Sequence, residues 1–546
     1  MKDTIPEPAT QAGQETSSRP LLSIVVPVYN GGPDIVENIG EIRRRAAGSL
    51  RPEDVEVVVV SDGSIDGTSE RLLAARSDVD MRVIHYDRNF GKGYAVKLGA
   101  LAASGEWIAT VDADLDLDPG SIPEYLETAR GERLDFAIGS KRHPDSVVYY
   151  PRSRRIASWC YQQLNRLLFR LDVRDTQVGL KVFRREVATG VVPLLLVKQF
   201  AFDLELLAVA RALGFGRVRE LPIRLDYRFT GSEVRSRAVV RALFDTAAVF
   251  YRLRILRTYQ RKRQLLGATD VSPDQWPSVA VLGAVEIEEL DYPLLERAGS
   301  AEAASSELLA VFEPGARPAG NFVTAAIPFL SRDDVAAVVA PSVAPSTATT
   351  RQRAAAAVLE SRLGGGSRRS RFFPGNVRVT DDFTADGYVV RREDLVAAKR
   401  AAAADELVGW LAERCRKTVY TPDTMVSAAP RPLFGPHLRA TFAHASARGS
   451  AARRSRATSV SSATALSLVP AAGALAGLVL VAFGPRPLRA AGTVLLGGYG
   501  AVVFGSAGLS AARFRSLPVG ALAVPGLLAT QSAYVAGFLR GLVARR

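Results

Sequence analysis

The sequence predicts an α/β protein: a mostly parallel sheet with helices on its faces, a second unit of related build behind it, and apolar helices at the C-terminal end. Three observations carry this reading. From Leu21 to about Leu180, short apolar runs ended by Gly, Asp or Asn alternate with helix-period segments. The chain has 546 residues, too long for one compact core. From Ala463 onward come three uncharged apolar stretches, each of about the 20 residues that cross a bilayer.

Taken in order, the first twenty residues are polar and Pro-rich, lack the apolar run of a signal peptide, and read as a disordered arm. That places the body of the chain in the cytoplasm. LLSIVVPVY, VEVVVVS, RVIHY and WIATVDAD are runs of buried strands, and DIVENIGEIRRRAA and GKGYAVKLGALAAS between them have helical spacing. Strand and helix in alternation put ligands at the strands' carboxyl ends. This first unit spans residues 21–265 and closes on a basic amphipathic stretch, 238–263. There Phe244, Phe250, Tyr251 and Leu253 stand among arginines, the pattern of a helix lying on anionic lipid. A linker (266–277), a second unit (278–445), a basic linker (446–462) and a membrane region (463–546) follow. Arg448, Arg453, Arg454 and Arg456 mark the cytoplasmic side of the first apolar run. The third run holds Pro518, Pro525 and Gln531 and ends in Arg540, Arg545 and Arg546, so two and three spans both stay open.

Lys plus Arg total 70 against 56 for Asp plus Glu, a formal charge of +14, and only nine of the cations are lysine. Arginines crowd the flanks of apolar stretches, which suits a membrane surface or phosphate-bearing partners. Zinc-finger, RNP and basic-zipper patterns are lacking, which excludes the usual nucleic-acid binders. Two cysteines, Cys160 and Cys415, rule out a disulfide scaffold and a thiolate zinc cluster. With four scattered histidines, any metal has to be held by oxygen.

The strongest chemical signal is VDADLDLDP, Val111–Pro119, at a strand's end. Asp112 and Asp114 flank Ala113, so a short loop aims both carboxylates at one hard cation, Mg²⁺ or Mn²⁺, with Asp116 as a third candidate ligand. VPVYN (Val26–Asn30), SDGSIDGT (Ser61–Thr68) and NFGKGYAVKLG (Asn89–Gly99) end at the same sheet edge and make a nucleotide cleft. Asp62 is placed to accept from a base or ribose, and Lys92 to meet a phosphate or base.

This ordered set resembles the family-2 glycosyltransferases of the GT-A (Rossmann-like) fold, and within them the dolichyl-phosphate glucosyltransferases and their polyprenyl-phosphate relatives. DTQVGLKVF (Asp175–Phe183), FDLELL (Phe202–Leu207) and the RFTGS stretch ending at Ser232 continue the likeness over about residues 20–265. Gly31 stands where that family usually has Glu, and Ser61 replaces the first Asp of DDGS. The resemblance implies nucleotide-sugar contacts from Pro27, Tyr29, Asn30, Asp62, Lys92, Asp112 and Ala113. It implies a polyprenyl phosphate acceptor and catalysis by Asp112, Asp114, Arg155 and Arg235. Such an acceptor, largely dianionic at pH 7, needs no strong base but needs its charge held in line. Lys141, Arg142, Arg152, Arg154, Arg155, Ser232 and Arg235 are the candidates for that task.

In the second unit, pairing Glu307 with Glu106 lays SSELLAVFEPGARPAGN on SGEWIATVDADLDLDPG. Glu313 then falls on Asp112, Gly315 on Asp114 and Arg317 on Asp116, a poor set for a divalent cation. From about residue 278 to the end the chain resembles the membrane-anchored family-2 branch of the mycofactocin glycosyltransferase, with Asp405 and Glu406 near that branch's acidic pair. The second unit therefore reads as a degenerate GT-A-like domain. The function expected is inverting, metal-dependent transfer of a hexose, UDP-glucose favoured and GDP-mannose the rival donor, to polyprenyl phosphate by a multi-pass membrane protein. The alternatives are extension of a lipid-linked glycan and a non-catalytic membrane scaffold. Self-association stays open.

Overall fold

A computed structural model describes residues 19–543 except 49, 149–151, 200, 226–235, 267–270, 272–274, 382–384, 402, 404–406 and 455–461. The first unit is built on β1 (Leu22–Val28), β2 (Val55–Asp62), β3 (Arg82–Tyr86), β4 (Trp107–Thr110), β5 (Phe136–Ser140), β6 (Lys181–Arg184) and β7 (Val218–Pro222). They form one sheet in the order β3-β2-β1-β4-β6-β5-β7, with only β6 antiparallel to its neighbours. The four expected strands are there, and continuous apolar runs such as LSIVVPV are what burial on both faces requires. Ile24 and Val26 pack under α1 (Ile35–Ala47), and Val25 and Ile108 pack on the opposite face. This is a GT-A-type α/β sheet, with α2 (Lys92–Ala102), α3 (Arg152–Phe169) and α4 (Phe202–Ala212) beside it.

The basic amphipathic stretch differs from one continuous helix. It is α5 (Ser236–Phe250), a π-turn (Tyr251–Ile255) and α6 (Thr258–Leu266), bent where Arg257 takes φ +47°. The bend turns Leu253 and Tyr259 into the core and leaves Phe244 and Tyr251 exposed.

The second sheet contains β8 (Val279–Leu282), β9 (Leu295–Arg297), β10 (Leu308–Phe312), β11 (Val335–Val339), β12 (Arg378–Thr380), β13 (Gly387–Arg391) and β14 (Lys417–Tyr420). Its order is β9-β8-β10-β13-β11-β14-β12. As in the first sheet, the leading strand lies between two parallel neighbours, and an antiparallel strand is inserted one place beyond. The backbone registers agree as well. Arg185 N–H donates to the Glu106 carbonyl at 2.9 Å, and Arg392 N–H to the Glu307 carbonyl at 2.8 Å. The counterpart of α1 is reduced to a 3₁₀ turn, Ile287–Glu289.

The carboxyl edge of this second sheet is covered. A ribbon of Arg317–Pro318, Val426–Ser427 and Ser342–Val343 lies across it. Beyond the ribbon, Val343 and Met425 join Tyr86, Phe90, Tyr94 and Leu98 of the first unit in one core. Buried in this seam, the Lys97 ammonium lies 2.7 Å from Asp423 and donates to the carbonyls of Pro193 and Leu195 at 3.1 and 3.2 Å. Lys198 donates to the Pro374 carbonyl at 2.6 Å and lies over the rings of Phe90, Tyr94 and Phe373.

Burial, and then the charge of Lys97, push Lys198 down to about 7. The unfolded chain keeps that proton up to the ordinary lysine range, so between pH 7 and about 10.5 it binds more protons than the fold. Stability from this group therefore rises with pH across that window. In thermal melts from pH 7 to 10, the midpoint difference between the parent chain and Lys198→Met is expected to move in the parent's favour by about 3 °C or more.

The C-terminal layer consists of α7 (Thr350–Glu360), α8 (Gly435–Arg454), α9 (Ser462–Phe483), α10 (Arg486–Phe514) and α11 (Leu517–Val543). Arg448, Arg453 and Arg454, expected in a linker, lie on α8. Helices α10 and α11 are long and apolar enough to cross a membrane. They differ in surroundings, because α11 is covered by protein along much of its length. Its Gly526 meets Val358 of α7, and Gly537 and Gly541 abut the Phe442 and Ser446 carbonyls of α8. Leu475, Leu478 and Phe483 of α9, with Val494, Phe504 and Leu509 of α10, carry the exposed apolar surface.

Candidate active site

The loops after β1, β2, β3 and β4 of the first unit meet at the carboxyl edge of its sheet. After β1, Asn30 accepts from Ile65 N–H at 3.0 Å, and its own N–H donates to Ser64 Oγ at 3.1 Å. Thr68 Oγ1 accepts from Gly31 N–H and Asp66 Oδ2 from Gly32 N–H, at 3.0 and 3.1 Å. The first two loops are thus stitched together, with Pro27 inside β1 and Tyr29 left partly exposed on the rim.

Asp62 departs from its expected place. It is buried, and its carboxylate accepts from Phe90 N–H (2.7 Å), Gly91 N–H (2.8 Å) and Tyr86 O–H (2.9 Å). Burial pushes its carboxyl up to about 6 against those three donors. Asp62 is therefore a clamp that shapes the loop opening α2, because its oxygens are already engaged inside the protein. The expectation of a direct base or ribose contact does not match this arrangement.

Beyond β4, Lys92 forms an ion pair with Asp112. Burial alone would lower the Lys92 ammonium, but the carboxylates of Asp112, Asp203 and Asp114 hold it above its ordinary value. Burial, then the charge of Asp112, push Asp114 up. Two neighbouring carboxylates at the end of a strand are a donor set suited to a hard cation. Among the described residues no group of three His, Cys, Asp or Glu is placed to hold a metal. Asp116 follows in the same loop, its backbone N–H donating to Asp114 at 3.1 Å. Ala113 contributes through its backbone, where its carbonyl accepts from the Asn38 amide at 3.2 Å.

The DTQVG segment backs this loop. A Cβ on Gly179 would stand 2.5 Å from Asp112 Oδ2, and the Gly179 carbonyl accepts from Thr110 Oγ1 at 2.9 Å. Lys181, fully buried, reaches Asp203 at 2.7 Å and so joins the DTQVGLKVF and FDLELL segments. Gly179, Lys181 and Asp203 were not among the expected site residues. Their signal was charge set among apolar residues: Lys181 in GLKVF, and Asp203 with Glu205 in FDLELL.

Lys141 and Arg142 follow β5 at the same edge, with Lys141 N–H donating to Asp175 at 3.4 Å. Arg152, Arg154 and Arg155 open α3. Ser232, Arg235, Asp405 and Glu406 lie outside the described residues.

Residues 23–190 match the family model Glycosyl transferase family 2. The chain is 36% identical over 221 residues to Glycosyltransferase AglD of Haloferax volcanii, across 40% of this chain and 34% of that one. It is 30% identical over 170 residues to Dodecaprenyl-phosphate galacturonate synthase of Rhizobium johnstonii, across 30% and 48%. With the Dolichyl-phosphate beta-glucosyltransferase of Drosophila melanogaster it shares 35% identity over 209 residues, across 35% and 63%. The chain therefore spans 34% and 48% of the length of the first two of these relatives and 63% of the third.

Proposed function

We propose, from the family-2 glycosyl transferase domain that residues 23–190 carry, that this chain moves a hexose from a nucleoside diphosphate sugar onto a polyprenyl phosphate at the cytoplasmic face of a membrane. The observation that carries the reading is the sheet edge itself. Asp112, Asp114 and Lys92 converge after β4 against the DTQVG loop, with the loops after β1 and β2 on one side and Lys141–Arg142 on the other. Two relatives are named for sugar transfer to dodecaprenyl or dolichyl phosphate. UDP-glucose is the favoured donor, although one of those names specifies galacturonate.

A divalent cation, Mg²⁺ or Mn²⁺, on Asp112 and Asp114 would neutralise charge building on the departing diphosphate. Lys92 pairs with Asp112 and supplies a fixed positive charge at the same edge. Lys141 and Arg142, with the arginines at the start of α3, hold the acceptor phosphate, whose own charge makes a general base unnecessary. Attack in line from that side inverts the anomeric centre.

The second unit is a transferase-like domain without a donor site. Glu313, Gly315 and Arg317 stand where the first unit has three aspartates. The ribbon and the Lys97–Asp423 pair occupy the edge where a nucleotide would enter. The exposed α9–α10 surface is the lipid-facing part.

The test is a transfer assay on membranes containing the protein, with polyprenyl phosphate and labelled UDP-glucose or GDP-mannose. Label is expected to enter the lipid phase from UDP-glucose and to fall to background with EDTA. Label from neither donor, with folded protein, overturns the proposal and favours a scaffold or a glycan acceptor.

A further inference from the structure

The turn joining α10 to α11 comes to rest on the first unit. Phe514 lies under the guanidinium of Arg88, 4.5 Å from ring centroid to Cζ. Arg88 and Arg513 share the buried carboxylate of Glu360 at the end of α7. Arg88 precedes the Asn89–Gly91 loop that Asp62 clamps, so this network ties the turn to the wall of the proposed nucleotide cleft. Two residues beyond Arg513, Arg515 takes the left-handed conformation, φ 47° and ψ 41°. Its guanidinium donates to the hydroxyl of Tyr29 and sits 5.8 Å from that ring's centre.

Two features separate Arg515 from an ordinary basic helix end. Among the described residues no carboxylate is paired with it, whereas Arg88 and Arg513 both have Glu360. A glycine would adopt the left-handed turn without strain, whereas an arginine adopts it against its backbone preference. A guanidinium has five donors and the Tyr29 hydroxyl takes one, leaving the rest for an anion at the rim.

The sheet order says which anion. Tyr29 follows β1, next to β4 and its carboxylates, on the side of β2 and the Asp62 loop. Lys141 follows β5, on the other side of β4 with β6 between. At roughly 4.8 Å per strand, the two rims stand about 14 Å apart.

We propose that Arg515, carried by the turn between the two apolar helices, binds the diphosphate of the nucleotide donor and closes the cleft at Tyr29. The inference rests on the transferase reading above and assigns a donor contact to the C-terminal region. The donor pocket would then be shared between the two ends of the chain.

Arg515→Gly tests this without disturbing the turn, since glycine suits the left-handed position. Binding of UDP and of uridine, each with Mg²⁺, is measured by calorimetry on the full chain in lipid nanodiscs, and the thermal midpoint is followed beside it. UDP affinity is expected to fall about tenfold or more, uridine affinity to change less than about twofold, and the midpoint to hold. Arg515→Lys should recover part of the UDP loss by keeping the charge. Unchanged UDP affinity in a folded Arg515→Gly chain overturns the assignment. So does an effect confined to the apparent affinity for polyprenyl phosphate, which would give Arg515 to the acceptor lipid. A folded parent chain that binds neither UDP nor GDP removes the transferase reading itself, and this inference with it.

Discussion

Asp112→Asn is expected to lower sugar transfer by on the order of a thousandfold while the chain stays folded. The amide keeps the shape that fits against Gly179 and loses the charge that pairs with Lys92. The partly buried Lys92 ammonium still has Asp203 and Asp114 nearby. The loss should therefore appear in kcat and in the response to Mg²⁺ or Mn²⁺, with little change in thermal midpoint. Asp116→Asn is the matched control. Asp116 donates its backbone N–H to Asp114 at 3.1 Å. Its replacement should change the rate less than about fivefold. Equal losses in the two variants would mean that all three aspartates hold the cation.

Gly63→Ala is expected to destabilise the first unit by on the order of 4 kcal/mol. Gly63 has φ +64°, and a Cβ there would fall into the backbone of Arg88 and Asn89, with Arg88 Cα at 2.6 Å. Backbone cannot swing aside as a side chain can. The 88–91 loop would have to move, taking with it the hydrogen bonds to Asp62 and the tie from Arg88 to Glu360. Gly32→Ala gives the comparison, since its φ is +74° but nothing lies within 4 Å of the added carbon. That change should cost only about 1 kcal/mol. Thermal melts and limited proteolysis of the two purified variants read the difference.

The parts of this molecule that were legible in the sequence are local. Four parallel strands, the loops at their ends and the carboxylates after β4 follow from apolar runs punctuated by Gly, Asp and Asn. The correspondence of Glu307 with Glu106 was also legible, because a strand and its flanking turn keep their spacing even when the acids beyond are replaced. What escaped depends on contacts between distant segments. The inward turn of Asp62 needs the 86–91 loop beside it, and SDGS alone does not reveal which way the carboxylate faces. The pairing of Lys181 with Asp203 joins a strand to a helix. The seam around Lys97 and Asp423 joins two units whose local patterns each read as complete. Periodicity also cannot distinguish an apolar helix covered by protein from one facing lipid, which is why α9, α10 and α11 looked alike.

Arg515 and Tyr29 stand 486 positions apart. A ribosome adding roughly 5–20 residues per second takes about 25–100 s to reach Arg515 after Tyr29. Throughout that interval the loops after β1, β2 and β3 exist without the turn that later touches them. The aromatic face of Tyr86, Phe90 and Tyr94 also waits, until Val343 and Met425 have been made. Until then the flank of the first unit that carries those rings lacks its cover. The order of translation makes the pocket first and its cover last.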